Sequence, residues 1–590
     1  MSLIQRYLFA AGALAFAISV AASTEAWSRQ EKTRSASTDQ PSAATPGEPK
    51  AQAVPNLAKA PVATTLRESD RPIAEALRDL LASGIAAHVP REGERSAVQA
   101  FYRDRGFAPI WIENGGSNAR AQETMAFLKE VGSDGLDPAD YPVPTFQTSE
   151  PESLAKDEIK LANSVMTFAR HARTGPVLFS RVTDAASFDL QFPKPPEVLS
   201  QIASSSNVRE TLDAHHPPHP EYRALKAKLV EMRGSGARPV QIESGPALKY
   251  ESGKKGRAKV VQDPRVPMLR QRLGLEAVGD TQYDTQYDKA LAEAVHAFQK
   301  SRNLKADGRL DAATVEALNG ASKDKRIDSI VANMERWRWV RRDLGVSHVI
   351  VNIPDYSLKV VNNQKLAWST RVVVGKPGEM ATPLLSETMK FITINPTWNV
   401  PPSIVRNEYL PALQRNPAAL ERMGLKVKRK KDGTLHVYQP PGPRNALGQI
   451  RFNFPNQFLV YQHDTPAKHL FAKSERAFSH GCIRVQHPEK YAEVLLSITQ
   501  AKDGFTAERV KTMYGENERT INLKAPMIVH LTYQTAFVDD AGRLQLRKDI
   551  YGRDARVLSL LRDERAIADI PLGRNPSSNN SPVLARAIGR

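Results

Sequence analysis

The sequence predicts an α+β protein of several domains. A helical scaffold and a small three-helix module precede a mostly β, sandwich-like domain that carries an insertion. Apolar residues recur at spacings of three and four between residues 66 and 320, whereas β-branched runs separated by turn residues dominate from residue 346 onwards. A chain of 590 residues is also too long for one core, so about three or four domains are expected.

The N-terminal segment 1–22 has the pattern of an export signal. Arg6 precedes an uncharged apolar run, and Ser19-Val20-Ala21 offers small residues at a cleavage site. The run is shorter than the roughly 20 residues that a membrane span needs, so we expect cleavage and a periplasmic protein. A retained signal would instead be a membrane anchor. Residues 23–65 are rich in Ala, Pro, Ser, Thr and Gln and are predicted to be a disordered linker.

The predicted scaffold covers residues 66–260. Apolar stripes at helical spacing mark Ile73–Leu81 and Ala121–Val131. The run His215-His216-Pro217-Pro218-His219 invites a metal interpretation. Its two prolines prevent a helical i,i+4 pair of ligands, so we expect a linker there and no metal site.

A compact helical unit follows at residues 261–320, and residues 321–345 are predicted to be a helical connector. Three apolar stripes define the unit, and a plain three-helix bundle is one interpretation. Its pattern resembles the peptidoglycan-binding module of cell-wall enzymes, in the residues Ala294-Val295-His296-Ala297-Phe298-Gln299, Asp307-Gly308, Thr314 and Leu318. Residues 283–287 depart from that pattern, so the resemblance implies the fold and leaves glycan binding open.

The β-rich domain is predicted over residues 346–555, as a mixed or antiparallel sandwich. Residues 401–448 interrupt its strands with helical and polar sequence, and an insertion of that length predicts a lid or a subdomain. The insertion carries the basic residues Lys426, Lys428, Arg429, Lys430 and Lys431. The pattern is lost after residue 555, so residues 556–590 are predicted to be a disordered tail.

The formal net charge is +18, which fits either a solvated surface or a polyanionic partner. Nucleic acid is not expected, because the sequence has no RNP sequence, zinc knuckle or basic-helix pattern. An acidic envelope polymer fits the export signal better.

Cys482 is the only cysteine. Exported proteins usually keep cysteines in disulfide pairs, so a lone thiol is either a buried, inert side chain or a reactive one.

The neighbours of Cys482 favour a reactive thiol. Tyr461 and His463 share one face of a predicted strand, and a spacer separates them from Ser479-His480-Gly481-Cys482 and Arg484. A nucleophilic thiol must lose its proton, and an imidazole takes it in a thiolate–imidazolium pair. Gly481 leaves room for a substrate backbone beside the thiol. Each residue alone has an ordinary structural explanation, but together around a single Cys they indicate a catalytic site.

This segment resembles the signature of the YkuD-type L,D-transpeptidases: a His, a spacer, Ser/Thr-His-Gly-Cys, a hydrophobic residue, and Asn or Arg. The larger plan resembles the YcbB-like subgroup of that family, in which an insertion lies over the catalytic cleft. The resemblance implies Cys482 as nucleophile and His463 as general base and acid. It further implies that the backbone of Ser479 or His480 orients His463, that the N–H groups of Gly481 and Cys482 bind the oxyanion with Tyr461, and that Arg484, Trp398 and Asn399 bind substrate.

The implied activity is the formation of 3-3 cross-links in peptidoglycan through a cysteine thioester, in cell wall biogenesis and cell shape. No metal or organic cofactor is implied, and carbapenems are implied inhibitors. The implied partners are peptidoglycan stem peptides, glycan strands and other wall-synthesis enzymes. Two alternatives stay open: an L,D-carboxypeptidase or endopeptidase acting on the same stem peptides, and a non-catalytic wall-binding scaffold. For Arg484, structural support is the alternative to substrate binding.

Overall fold

The computed structural model describes residues 57–234, 242–251, 261–273, 275, 285–301, 304–319, 323–416, 418–429 and 435–562. The predicted signal, the predicted linker up to residue 56, the predicted tail from residue 563, and Lys430 and Lys431 lie outside these ranges. In the part of the chain that is described, no helix is long and apolar enough to cross a membrane.

Among the described residues before residue 340, helices predominate. Several begin at residues that suit a helix start: Pro151 and Pro488 stand in a first turn, where no backbone N–H is needed, and the Asn118 side chain accepts a hydrogen bond from the Ala121 N–H at 2.9 Å. The helices are α1 (Arg71–Ser83), α2 (Glu92–Asp104), α3 (Ala119–Glu130), α4 (Pro151–Thr174), α5 (Phe179–Val182), α6 (Pro195–Ser204), α7 (Val208–Asp213), α8 (Pro220–Gly234), α9 (Val266–Leu273), α10 (Lys289–Ser301), α11 (Ala312–Asn319), α12 (Lys323–Trp339), α13 (Pro402–Ile404), α14 (Leu410–Arg415), α15 (Ala419–Arg422), α16 (Pro488–Thr499), α17 (Ala507–Lys511) and α18 (Arg553–Leu561).

Strands dominate after residue 346, where β-branched residues alternate with turns, and three two-residue strands lie earlier in the chain. They are β1 (Ile112–Glu113), β2 (Gly116–Ser117), β3 (Ala186–Ser187), β4 (Ser347–Asn352), β5 (Ser357–Asn362), β6 (Lys365–Gly375), β7 (Leu384–Ile394), β8 (Trp398–Asn399), β9 (Lys426–Arg429), β10 (Leu435–Gln439), β11 (Ile450–Asn453), β12 (Gln462–His463), β13 (Ala477–Ser479), β14 (Ile483–Val485), β15 (Arg519–Thr532), β16 (Ala536–Val538) and β17 (Leu544–Leu546). The mixed helical and sheet-rich fold class predicted from the sequence is confirmed.

The large sheet has the strand order β11-β12-β14-β6-β5-β4-β15-β7-β3, with β13 added to β6. It closes on itself, because β7 pairs with β15 and also with β11. The sequence predicted a mixed or antiparallel sandwich, whereas the observed strands form one closed sheet. Closure requires the long strands to bend, and the register between β15 and β7 shifts between Asn522 and Met527, as at a β-bulge. The catalytic residues described below lie on β12 and around β13 and β14.

The scaffold and the large sheet share one hydrophobic core. β3 of the scaffold pairs in parallel with β7, and Tyr222, Leu225 and Leu229 of α8 belong to the same buried cluster as the sheet. Residues predicted as scaffold therefore contribute to the core of the predicted catalytic domain. A second cluster, built mainly from α1 to α4 and α6, includes Tyr102, Trp111 and Leu161.

The histidine run at residues 215–219 is not a linker. His215, His216 and His219 are all buried. The His219 Nε2 lies 2.8 Å from the Arg341 carbonyl oxygen, and the His216 Nδ1 lies 3.2 Å from the Tyr222 hydroxyl. The run lies in the connection between α7, which ends at Asp213, and α8, which begins at Pro220, and this connection packs the imidazoles inside the molecule.

The three-helix unit has its own core, made largely of the predicted stripes, with Val266, Leu269, Leu291, Val295 and Leu318 buried. The motif residues explain its central turn. Gln299 is fully buried, its Oε1 accepts from the Gly308 N–H at 2.9 Å, and its Nε2 donates to Thr314 Oγ1 at 2.9 Å. The Gln, Asp-Gly and Thr pattern is therefore a folding motif.

The insertion forms a small subdomain with its own sheet, in the order β8-β10-β9, and its own apolar core around Tyr409, Leu420 and Val437. A π-helical turn, Val405–Tyr409, joins α13 to α14. Lys426, Lys428 and Arg429 are exposed along β9, the edge strand of this three-stranded sheet, where Val427 is exposed as well.

Both predicted disordered segments contain structure at their inner ends. Residues 57–59 form a 3-10 turn with Leu57 buried, although the linker was predicted to extend to residue 65. The tail was predicted to begin at residue 556, but α18 continues to Leu561 and buries Val557 and Leu560. These short apolar patterns become stable through tertiary packing, which a local reading of the sequence does not include.

Candidate active site

The predicted catalytic residues meet on neighbouring strands of the large sheet. β12 and β14 run in parallel, with Gln462 opposite Ile483 and His463 opposite Arg484. The same register continues one residue earlier and sets Tyr461 opposite Cys482. Residues opposite each other on adjacent strands point to the same face, so Tyr461, His463, Cys482 and Arg484 share one face.

Cys482 is half-buried and packs against the edge of the main core. Burial raises the pKa of its thiol to about 11, although hydrogen bonds with Tyr461 and the charges of Arg484 and Arg451 oppose that rise. Burial, followed by the proximity of Cys482, likewise raises the pKa of Tyr461, so its hydroxyl stays protonated. The thiol is therefore neutral at rest and lies beside a phenol that can donate a hydrogen bond.

His463 is buried, and burial followed by the charge of Arg484 lowers its pKa to about 3. Its Nδ1 contacts the backbone carbonyl oxygen of Asp464. A carbonyl oxygen accepts only from an N–H, so Nδ1 carries the proton in this contact, and the Leu447 backbone makes a second hydrogen bond with the imidazole. A backbone carbonyl was predicted in this role, but the predicted residues, Ser479 and His480, were wrong, because the carbonyl of Asp464, the residue directly after His463, already contacts Nδ1.

Ser479 instead braces the loop that carries the thiol. Its hydroxyl donates to the Cys482 carbonyl oxygen at 2.5 Å and accepts from the Gly481 N–H at 3.2 Å. The Gly481 N–H, predicted to bind an oxyanion, is thus already used within the loop. Gly481 has a φ of +113°, a backbone conformation that glycine adopts without strain. The Cys482 N–H and the Tyr461 hydroxyl are the better oxyanion donors.

The insertion and β8 just before it reach the site at three points, one of which is a hydrogen bond between the Leu447 backbone and His463. His480 Nε2 lies 2.5 Å from Glu408 Oε1 in the π-helical turn, and Trp398 on β8 donates a side-chain hydrogen bond to Tyr461. Asn399, the other predicted substrate residue of β8, is exposed, and its Oδ1 lies 3.0 Å from His436 Nε2. Trp398 therefore belongs to the site, whereas Asn399 faces away into the insertion.

Sequence reasoning missed several residues that shape the site. Thr382 Oγ1 donates to the Gly481 carbonyl oxygen at 2.9 Å and accepts from the Gly375 N–H at 2.8 Å. Tyr551, beside α18, donates to the Gly375 carbonyl oxygen at 2.6 Å. Arg451 on β11 lies opposite His463. No local motif marks these positions, since each reaches the site only through strand pairing or chain folding.

One cluster of potential metal ligands occurs among the described residues, and it lies in the scaffold, away from Cys482. Asp134, Asp213 and His216 bring one ligand atom each within 4.8 Å of the others. Lys226 already supplies a cation there, with its Nζ 2.8 Å from Asp134 Oδ2 and 3.2 Å from Asp213 Oδ1. The cluster is explained as a buried ion pair.

Three segments of the chain match models of known families. Residues 347–511, which contain Tyr461, His463 and the Cys482 loop, match the model of the L,D-transpeptidase catalytic domain. This segment is a YkuD-type L,D-transpeptidase catalytic domain. Residues 96–229 match the model described as "Scaffold domain", and residues 263–318 match the one described as "Putative peptidoglycan binding domain".

Individual proteins similar to the chain agree with the L,D-transpeptidase domain. A protein of Haemophilus influenzae named "Putative L,D-transpeptidase" is 28% identical over 226 residues, which cover 35% of this chain and 45% of that protein. The chain thus matches less than half the length of this relative.

Parts of the chain are also similar to solved structures of L,D-transpeptidases. L,D-transpeptidase 3 from Mycobacterium tuberculosis, in complex with a faropenem-derived adduct, is 14% identical over 31% of this chain and 60% of its own, with a TM-score of 0.17. An L,D-transpeptidase from Stackebrandtia nassauensis is 14% identical over 46% of this chain and 92% of its own, with a TM-score of 0.16. Such low scores carry no argument about the fold, which rests on the strands described above.

Proposed function

We propose that the protein is a periplasmic cysteine L,D-transpeptidase that forms 3-3 cross-links between peptidoglycan stem peptides. The observation that carries the proposal is the row of Tyr461, Cys482 and His463 on one face of β12 and β14, inside an L,D-transpeptidase catalytic domain. The peptidoglycan-binding domain supports peptidoglycan as the substrate.

In the first half-reaction, the Cys482 sulfur attacks the carbonyl carbon of the third stem residue. The S–C bond forms as the thiol proton passes to His463 Nε2, and the peptide C–N bond breaks as His463 returns that proton to the departing amine of D-Ala. The carbonyl oxygen becomes an oxyanion, which the Cys482 N–H and the Tyr461 hydroxyl stabilise. Losing one such donor typically raises the barrier by about 2.7–4 kcal/mol.

In the second half-reaction, the side-chain amine of a neighbouring stem attacks the thioester. The new C–N bond forms, the C–S bond breaks, and His463 carries the amine proton back to sulfur. Water in place of the amine would give a shortened stem and a hydrolase. The insertion, which contacts both His480 and Tyr461, favours the transferase because it covers the thioester and limits access of water.

The test is Cys482→Ala in the full chain, incubated with tetrapeptide muropeptides and analysed by mass spectrometry. We expect the wild-type protein to give a dimer that has lost one D-Ala, and the variant to give none. A carbapenem should add one covalent adduct to the wild-type protein and none to the variant. Dimer formation at the wild-type rate by the variant would refute the mechanism, and shortened monomers without dimers would identify a hydrolase.

A further inference from the structure

Two guanidinium groups flank the catalytic imidazole. β11 pairs with β12 so that Arg451 lies opposite His463, and β12 pairs with β14 so that His463 lies opposite Arg484. Opposite residues share a face, so Arg451, His463 and Arg484 form one row across three strands. Tyr461 and Cys482 lie two residues before His463 and Arg484, respectively, and therefore on the same face.

Both arginines lie within electrostatic reach of the reacting groups. The Arg451 guanidinium carbon lies 5.4 Å from the centre of the Tyr461 ring. The charges of Arg484 and Arg451 each lower the pKa of His463 and also that of Cys482. A ligand bound to either guanidinium would therefore lie next to the thiol.

Neither arginine has a carboxylate partner among the residues that the structure describes. The Nε atoms of Arg451 and Arg484 are buried without a hydrogen-bond acceptor. Two acidic residues that contact His463 or the catalytic loop are otherwise engaged. Asp464 accepts from the Gln449 N–H at 2.9 Å and pairs with Lys468, and Glu408 pairs with His480. Partly buried cations without a counterion are costly, so a site of this kind is completed by an anion from outside the chain.

We propose that Arg451 and Arg484 form a carboxylate-binding pair that selects acyl donors bearing carboxylate groups close to the carbonyl that Cys482 attacks. A guanidinium binds a carboxylate through two parallel N–H···O hydrogen bonds, which fixes orientation as well as charge. With one guanidinium on each side of His463, a donor with two carboxylates can be held at both ends. The identity of the donor as a stem peptide rests on the proposed function, but the anion preference of the site does not.

A different role would be electrostatic only: the arginines could stabilise the thiolate and bind nothing. The two roles predict different behaviour toward small alkylating agents. Iodoacetate and iodoacetamide both react with a thiolate, forming an S–C bond and releasing iodide, but only iodoacetate carries a carboxylate. A binding site changes the ratio of the two rates, whereas tuning of the thiol changes both rates equally.

The experiment measures both alkylation rates on the full chain by intact-protein mass spectrometry, at fixed pH and salt. Because Cys482 is the only cysteine, each adduct has one possible position. The ratio of the iodoacetate rate to the iodoacetamide rate should fall roughly ten- to a hundredfold in R451Q/R484Q, the effect expected for hydrogen bonds to charged groups. Each single variant should show part of the fall. R429Q, which removes an exposed charge from β9 of the same domain, should keep the wild-type ratio.

An unchanged ratio in the double variant would overturn the proposal, and so would an equal loss of both rates. A similar fall in R429Q would also overturn it, because the preference would then come from overall charge. R451K/R484K, which keeps both charges but not the bidentate geometry, guards against misfolding and should retain part of the preference. Iodoacetamide reacts whether or not the protein cross-links peptidoglycan, so failure here and failure of the proposed function are separate results.

Discussion

Burial determines the resting protonation of the two central side chains of the site, Cys482 and His463. A thiolate–imidazolium pair was predicted from the residue types alone. Burial instead raises the pKa of the Cys482 thiol to about 11 and lowers that of the His463 imidazole to about 3. Both groups are therefore neutral around pH 7. The proton transfer belongs to the attack step rather than to the resting enzyme.

This difference predicts a pH profile. Without substrate, the rate of iodoacetamide alkylation of Cys482 should rise about tenfold per pH unit from pH 6 to pH 9, because the thiolate fraction grows at that rate below the pKa. A preformed ion pair would instead give a plateau over the same range. His463→Ala should leave the alkylation profile nearly unchanged but slow acylation by a tetrapeptide donor by about 10²–10⁴-fold. A plateau at neutral pH in the wild-type protein would contradict this prediction and indicate a preformed thiolate–imidazolium pair.

The residues that could be predicted from the sequence are those that lie together in it. Cys482, Ser479 and Gly481 are consecutive or nearly so, and Tyr461 and His463 alternate along one strand. Arg451 and Thr382 reach the site by strand pairing from other parts of the chain, and that pairing depends on register. The carbonyl that orients His463 could not be predicted either, since its direction depends on the turn after β12.

At the scale of elements, the insertion was predicted to be a lid or a subdomain, and its contacts with the site define how the lid hypothesis can be tested. It is held to the catalytic loop by Glu408 and His480 and to β12 by Trp398 and Tyr461. The insertion has its own core, and further contacts hold its C-terminal end, where Asn445 donates to the Pro396 carbonyl oxygen at 3.0 Å and the Leu447 backbone hydrogen-bonds His463. The contact of Glu408 with His480 lies two residues before Cys482.

Removing the contact between Glu408 and His480 should therefore loosen the lid without unfolding it. In Glu408→Gln the ratio of hydrolysed to cross-linked product should rise by up to about fivefold, the range expected for a partly exposed pair. Mass spectrometry of the products gives the ratio, and amide hydrogen exchange over residues 402–415 should become faster. Glu421→Gln, an exposed change in the same insertion, is the control. If the Glu408 variant matches that control in both measurements, the contact does not hold the lid.

Other elements show where a local pattern is insufficient. The helices of the three-helix unit follow from their apolar stripes, and the motif Gln299 explains its turn. β3 is only two residues long, and α18 is a short amphipathic segment, so neither stands out from loop sequence. Each forms because it packs onto the large sheet. The Tyr551 hydroxyl next to α18 then donates to the Gly375 carbonyl oxygen, and Thr382 connects Gly375 to Gly481.

At the scale of the whole molecule, helix α12 joins the scaffold to the catalytic domain through a fully buried network. Glu335 accepts from the Val177 N–H at 2.9 Å and from Arg338 at 3.0 Å. Arg338 also donates to the Asp134 carbonyl oxygen at 2.6 Å and to the Tyr222 hydroxyl at 3.0 Å. The network links three segments that were predicted as scaffold and connector to the core beneath the large sheet.

Breaking this network should weaken the catalytic domain as well as the scaffold. Arg338→Met fills a similar volume but leaves Glu335 as a buried charge without its cation, a change that typically costs about 3–5 kcal/mol. We expect the first transition in chemical unfolding to move to lower denaturant by a matching amount. Lys228→Gln, which removes a surface pair with Glu231 on α8, should cost less than about 1 kcal/mol.

Iodoacetamide labelling of Cys482 reports on the catalytic sheet separately from the scaffold. Because β3 and α8 share the core of that sheet, labelling in Arg338→Met should begin at the same lower denaturant concentration as the loss of helical signal. If the thiol stays protected while the scaffold unfolds, the two parts are independent and the shared core does not couple them.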